Sequence, residues 1–429
     1  MKVIWLCNFP LPEIAKKLDM KETVNEGWIQ GLSNGMKLRD DVEIIYLFPQ
    51  TKEKKTLNGN LNGIRYYGFY RKFSNPSQYD ADLVNVFVDI LNEVKPNVIH
   101  IMGTEFAHSY AMAEASEKCD VLQKTVVSIQ GMPSVYAQHY LSGIPEKICN
   151  RRRIKDIVYH SSLTRQKKVM LERGFNEERV LKKVPNVFGR TEWDKACTCF
   201  INPERFYYHG GEILRNDFYT GEWDIRNIEK HSVFISQATY PIKGFHYALD
   251  AFGILKRKYD DLKIYVSGRN IFGGPVWKMS SYEKYVNDLI DKLNLRNNIV
   301  FTGPLKANEM KTQYLTSHVF VSPSTIENSP NSVGEAMILG VPTISSDVGG
   351  VKDMLAHGEE GFVYPMDEPY MLAYYIDRVF SNDSISLKLS ECARNHALKT
   401  HDSKTIVNEM MENYYMIMKN KTRESDAKI

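Results

Sequence analysis

The feature that most constrains this chain is an alternation of short apolar runs with amphipathic stretches, which breaks once and then starts again. In the first half, Lys2–Asn8 (KVIWLCN), Val42–Phe48, Val98–Met102 and Thr125–Ile129 are rich in β-branched and aromatic residues, the pattern of strands buried on both faces. Between them, Gly27–Leu38 and Tyr79–Val94 carry apolar residues three and four apart, as helices do. Strand following helix in this way predicts a parallel sheet covered on both faces, with ligands gathering beyond the carboxyl ends of the strands.

The rhythm breaks over Cys199–Lys230, which is rich in aromatics and turn residues, and resumes with Ser232–Ser236. Further strands are expected at Leu262–Ser267, Asn298–Thr302, Val319–Pro323, Val341–Ser345 and Gly361–Val363. At 429 residues the chain exceeds one ordinary core. The expected class is α/β, with two Rossmann-like domains whose mostly parallel sheets face each other across a cleft. Residues 1–205 are expected to form the first domain and 225–400 the second, with 401–429 a helical segment that can pack back onto either domain, the first being the expected one.

Composition narrows the function classes. There are 55 Lys and Arg against 52 Asp and Glu, a formal charge of +3, so no global field recruits nucleic acid. The longest apolar runs fall far short of the roughly 20 residues that cross a bilayer. The N-terminus, MKVIWLCNFP, lacks a secretory h-region, so a cytoplasmic protein is expected. Six scattered cysteines suit free thiols rather than a disulfide framework.

The most informative stretch is Val319–Val351, VFVSPSTIENSPNSVGEAMILGVPTISSDVGGV. Glu327 follows a strand, Ser329 and Pro330 can start a helix, and Gly340 before Pro342 can end it. Glu335 then sits in the second turn and leans back toward the helix start. A helix N-terminus favours anions, whereas two carboxylates favour hydroxyls. Lys243, in the turn SQATYPIKGF with Gly244 beside it, supplies a cation. Hydroxyls and phosphates recognised together describe a nucleotide sugar.

With these pieces in order, the sequence resembles the family 4 glycosyltransferases, retaining enzymes of the two-domain GT-B fold. The matching elements are the E-x7-E pair Glu327 and Glu335 with GEAMILGVPTISSDVGG, the PIKG turn 241–244, YVSG at 265–268, IVFTGPL at 299–305 and HGEEGFVYP at 357–365. The resemblance implies that Glu335 holds the donor ribose, Glu327 the donor sugar, and Lys243 the diphosphate. It also implies that amides at Asn331 and Ser332 touch sugar and phosphate, that Gly303 to Leu305 lie along the base, and that Gly27 lies in a phosphate-closing loop of an acceptor-side domain. Two positions depart from the family: Gln237 stands where an Arg is usual, and Gln130 where a His is usual. Arg269 and His108 are the candidate substitutes, His108 as a catalytic or acceptor contact.

The reading that follows is a metal-independent hexosyltransferase that uses a UDP- or GDP-sugar as substrate, with no cofactor and no Asp-x-Asp pair near the acidic element. Its acceptor would be a glycan or a lipid-linked oligosaccharide in cell-surface polysaccharide synthesis. The basic run Arg151, Arg152, Arg153, Lys155, Arg165, Lys167 and Lys168 suits either a solvated face or peripheral contact with an anionic membrane surface, at its inner face. A nucleotide-sugar epimerase and a non-catalytic glycan- or nucleotide-binding subunit are the alternatives. A dinucleotide oxidoreductase is disfavoured because no G-x-G-x-x-G follows the first strand.

Overall fold

The computed structural model describes residues 1–20, 27–272 and 275–419. The chain divides into two compact units. Unit 1 comprises Met1–Val135, Val169–Ile213 and the C-terminal segment from His401; unit 2 comprises Tyr136–Lys168 and Leu214–Thr400. The segment Tyr136–Lys168, expected in the first domain, therefore groups with the second. Its hydrogen bonds to the 276–281 and 325–328 stretches explain why.

Unit 1 is an eight-stranded sheet of β1 (Lys2–Leu6), β2 (Glu43–Gln50), β3 (Leu57–Leu61), β4 (Ile64–Tyr70), β5 (Val98–Ile101), β6 (Thr125–Ser128), β7 (Asn186–Gly189) and β8 (Phe206–His209). The order is β3-β4-β2-β1-β5-β6-β7-β8, and only β3, paired antiparallel to β4, breaks the parallel run. β7 and β8 correct the sequence reading, which placed no strand after Thr125–Ile129 and treated the stretch around β8 as irregular. Four-residue strands such as these give too short a pattern to separate from a turn. The central strands are buried on both faces, with Ile4, Trp5, Phe48, Ile99 and Val127 essentially inaccessible, as a doubly covered parallel sheet requires. The helix Ser403–Met418 packs on Gly27–Met36 of this unit, and its buried Tyr414 hydroxyl accepts from Trp5 Nε1 at 3.0 Å.

Unit 2 is a six-stranded, wholly parallel sheet: β9 (Glu229–Ile235), β10 (Lys263–Ser267), β11 (Ile299–Gly303), β12 (Ser317–Ser322), β13 (Thr343–Ser346) and β14 (Phe362–Tyr364), in the order β11-β10-β9-β12-β13-β14. The order runs outward in both directions from the β9–β12 pair. Helices leave the carboxyl ends of these two strands on opposite sides, and such a switch point opens a crevice in an α/β sheet. No described helix is long and apolar enough to cross a membrane.

Candidate functional site

The carboxyl ends of β9 and β12 carry the polar constellation of unit 2. After β9 the chain enters the Pro241–Lys243 turn and then the helix Phe245–Leu255. Gly244 joins them at φ 65°, and a Cβ there would lie 1.8 Å from the Pro323 carbonyl oxygen. Only glycine lets this turn press against the end of β12. The Ile242 carbonyl accepts from Thr325 N at 2.8 Å, which ties the turn to the next loop.

That contact brings Lys243 to Glu327: Nζ donates to Oε1 at 2.5 Å. Ser324 Oγ donates to the same oxygen at 2.8 Å. Both side chains are mostly buried. Burial works against the lysine's charge, but the Glu327 carboxylate and the neighbouring Tyr240 outweigh it, and the net shift is upward. Lys243 stays cationic at any physiological pH.

The loop behind Glu327 is fixed from two sides. Gly349, at φ 53°, leaves room for the Glu327 carbonyl, to which a Cβ would approach within 1.8 Å, and Gly350 N donates to that carbonyl at 3.1 Å. Tyr136 Oη accepts from Asn328 N at 2.8 Å. The helix Asn331–Leu339 follows and ends at Gly340 with φ 77°. Pro330, not Ser329, occupies the N-cap, and it makes no side-chain capping hydrogen bond. Proline has no side-chain acceptor, and the positive end of the helix dipole favours an anion here.

Glu335 is 5% exposed. Its carboxylate is gripped by Arg215, whose Nε and Nη2 donate at 2.7 and 2.8 Å to the two oxygens. The guanidinium stacks on Phe218, 4.6 Å from the ring centroid. Burial again opposes the arginine's charge and Glu335 restores it. Tyr314 Oη donates to the Ser332 carbonyl at 3.0 Å and pins the first turn of the helix. Beneath lies a buried cluster that includes Phe234, Tyr314, Phe320, Val333 and Met337.

The other expected positions are distributed as follows. Gly303 ends β11 at φ 81°, its carbonyl accepting from Gly268 N at 2.9 Å, and Leu305 packs against the same apolar cluster as Tyr314. Arg269 is more than half exposed and lies 3.7 Å from Glu283, which Lys155 already holds at 2.7 Å. Gln237 is exposed.

His108 belongs to unit 1, where its Nε2 lies 3.0 Å from Asn8 Oδ1 and Asn8 Nδ2 donates to Glu105 Oε2 at 3.1 Å. These groups follow β1 and β5, the switch point of that sheet. Burial lowers the His108 pKa to about 3, so the ring is neutral. Gln130 Oε1 accepts from Arg190 Nη2 at 2.9 Å, and Arg190 is ion-paired with Glu212. Gly27 opens the helix Gly27–Met36, and residues 21–26 before it lie outside the described residues.

Sequence reasoning missed Arg215, Tyr136 and Ser324. Ser324 sits inside the motif and was legible as a nearby hydroxyl. Arg215 and Tyr136 are 120 and 192 residues from their partners in sequence, and no local pattern announces them.

Two units with parallel sheets of this kind define a GT-B fold. The sucrose-phosphate synthase of Thermosynechococcus elongatus superposes with a TM-score of 0.67 at 13% identity, covering 98% of this chain and 100% of that one. Anabaena HepE in complex with UDP and glucose gives 0.63 at 16%, covering 97% and 99%. Residues 221–396, which include Lys243, Glu327 and Glu335, match Glycosyl transferases group 1. An uncharacterized glycosyltransferase of Methanocaldococcus jannaschii is 28% identical over 240 residues, 52% of this chain and 58% of the relative. The D-inositol 3-phosphate glycosyltransferase of Corynebacterium urealyticum is 27% identical over 158 residues, 37% of each. The matched stretches thus span less than two thirds of these two relatives.

Proposed function

We propose that the protein is a retaining, family 4-type glycosyltransferase that moves a hexose from a nucleotide sugar to a hydroxyl acceptor. The observation that carries this reading is the convergence of Lys243, Glu327 and the start of the 331–339 helix on the loops after β9 and β12. In such a donor the bond from the anomeric carbon to a phosphate oxygen breaks, and negative charge grows on the departing diphosphate. Lys243 and the helix dipole answer that charge. Since both are protein groups, we assign a reaction that runs without a metal. The acceptor oxygen bonds to the face the leaving group vacates, and its proton passes to the leaving phosphate oxygen.

Glu327 and Glu335 accept from sugar and ribose hydroxyls. Arg215 fixes the orientation of the Glu335 carboxylate for this role. Similarity to the HepE structure holding UDP and glucose supports a UDP-sugar, with a GDP-sugar as the competing donor. A glycan or lipid-linked acceptor in cell-surface polysaccharide synthesis, at the inner face of the membrane, completes the proposal.

The test is release of free nucleotide from a panel of UDP- and GDP-sugars, with and without glycan acceptors. Release by the wild type, lost in Lys243→Ala and Glu335→Ala, supports the reading. Interconversion of the donor without nucleotide release would instead indicate an epimerase, and donor binding without turnover a non-catalytic subunit.

A further inference from the structure

The short helix Ile154–Val158 of unit 2 is inside out. Its apolar residues Ile154, Ile157 and Val158 stand at positions i, i+3 and i+4, one face of a helix, and that face normally turns inward. Here all three are exposed, and so are Tyr159 and the adjacent Val276 and Trp277. These six side chains are between 51 and 73% accessible.

The polar residues of the helix point the other way. Asp156 is 2% exposed, and its Oδ2 accepts from Ser281 N at 3.0 Å, Ser281 Oγ at 2.5 Å and Arg153 N at 3.1 Å. Arg153 donates to the carbonyls of Met279 and Val276 at 3.0 and 2.6 Å, and Lys155 to Glu283 at 2.7 Å. The orientation is therefore fixed by a buried polar anchor. A helix that simply tolerated stray apolar residues would not need one.

The charge around this face is one-sided. Residues 146–168 contain eight Lys or Arg and two acids, Glu146 and the buried Asp156. Arg151, Arg152, Lys278, Arg165 and Lys168 are exposed. Aliphatic side chains to enter an acyl region, Trp and Tyr to sit at its boundary, and a cationic rim to meet anionic headgroups are the components of an interfacial membrane contact.

We infer that the face formed by Ile154–Tyr159 and Val276–Lys278 docks on an anionic lipid bilayer. A bilayer is favoured over a protein partner because exposed aliphatic and aromatic side chains stand together with exposed cations in the same segment. Docking deepens the proposed function by seating unit 2 at a membrane, where a lipid-linked acceptor resides, but it does not depend on turnover.

The experiment is co-sedimentation of the full chain with phosphatidylcholine vesicles, with and without phosphatidylglycerol, at low and high salt. The wild type is expected to sediment with the anionic vesicles, to be released by salt, and to shift its Trp emission to the blue. Arg151→Gln with Arg152→Gln should weaken partitioning about thirtyfold, at roughly fivefold per charge. Ile157→Glu should abolish the emission shift, while Trp277→Phe separates the probe from the contact. Each variant is checked by circular dichroism and by nucleotide-sugar binding, which the inference leaves unchanged. A wild type that stays in the supernatant, or variants that bind as well as it does, would overturn the inference. So would a concentration-dependent dimer dispersed by Ile157→Glu, since a second copy would then cover the face. Loss of donor turnover with vesicle binding intact would count against the proposed function alone.

Discussion

Lys243 and Glu327 are 84 residues apart in the chain, yet Nζ and Oε1 are 2.5 Å apart. The contact exists because Gly244 lets the β9 turn close on the end of β12. Two opposite charges are thus held, mostly buried, at the switch point of a parallel sheet. Removing one partner strands the other, at about 3–5 kcal/mol for a buried pair. Lys243→Met and Glu327→Gln should each lower stability by a sizeable part of that amount, and the double variant by less than their sum. Denaturant unfolding of the four proteins checks this; additive losses would mean the pair is not coupled.

Activity should separate these two positions. With its cation gone, Lys243→Met should lose about 10²–10³ in kcat. Glu327→Gln keeps a hydrogen-bonding group and should lose less, with the larger part in KM. Steady-state kinetics on the active donor measures both.

Arg215 is predicted to act as a positioning residue through Glu335. Arg215→Lys keeps the charge but loses the bidentate fork, so nucleotide affinity should fall about tenfold while the fold persists. Arg215→Met should lose more, because Glu335 is then buried without its cation. Equal affinity across wild type, Lys and Met would show that the fork plays no part in binding.

Gly244→Ala tests the local geometry. An alanine at φ 65° is strained by roughly 1–3 kcal/mol, and its Cβ would collide with the Pro323 carbonyl. A lowered melting temperature together with lost activity is expected. Gly303→Ala, at φ 81° but with no neighbour near the added carbon, should cost less.

Much of this site is local in sequence, and that part was legible. A strand, a loop acid, a proline-led helix and a terminating glycine lie within the thirty-odd residues around Glu327, and each leaves its own signature in residue type and spacing. The family resemblance carried Lys243 as well. Arg215 was invisible because nothing near it specifies that its fork reaches a helix 120 residues on. The place of Tyr136–Lys168 was equally hidden, since its allegiance to unit 2 rests on contacts distant in sequence: Ile144, Cys149 and Leu163 in that unit's core and the hydrogen bonds of Asp156 and Tyr136. Four-residue strands such as β7 carry too little pattern to be told from turns.

Unit 1 carries a pH signal of its own. Glu177 is fully buried, and although Ser134 and Thr104 hydrogen-bond to it, burial raises its pKa from 4.5 to about 8. The folded state therefore holds a proton that the unfolded chain has released. Stability should fall as pH rises from 4.5 to about 8, by on the order of 4–5 kcal/mol, and level off above. Glu177→Gln should flatten this slope and be relatively most stabilising near pH 9. Melting curves from pH 5 to 9 check it; parallel profiles for the two proteins would refute the assignment.

The most direct test is equilibrium binding of a UDP-sugar and GDP-sugar panel, by titration calorimetry, to the wild type and Glu335→Gln. If the loops after β9 and β12 hold a nucleotide sugar, the wild type binds at least one donor and Glu335→Gln binds it at least tenfold more weakly. Equal binding by the two proteins, or no binding of any donor by the wild type, would contradict the account.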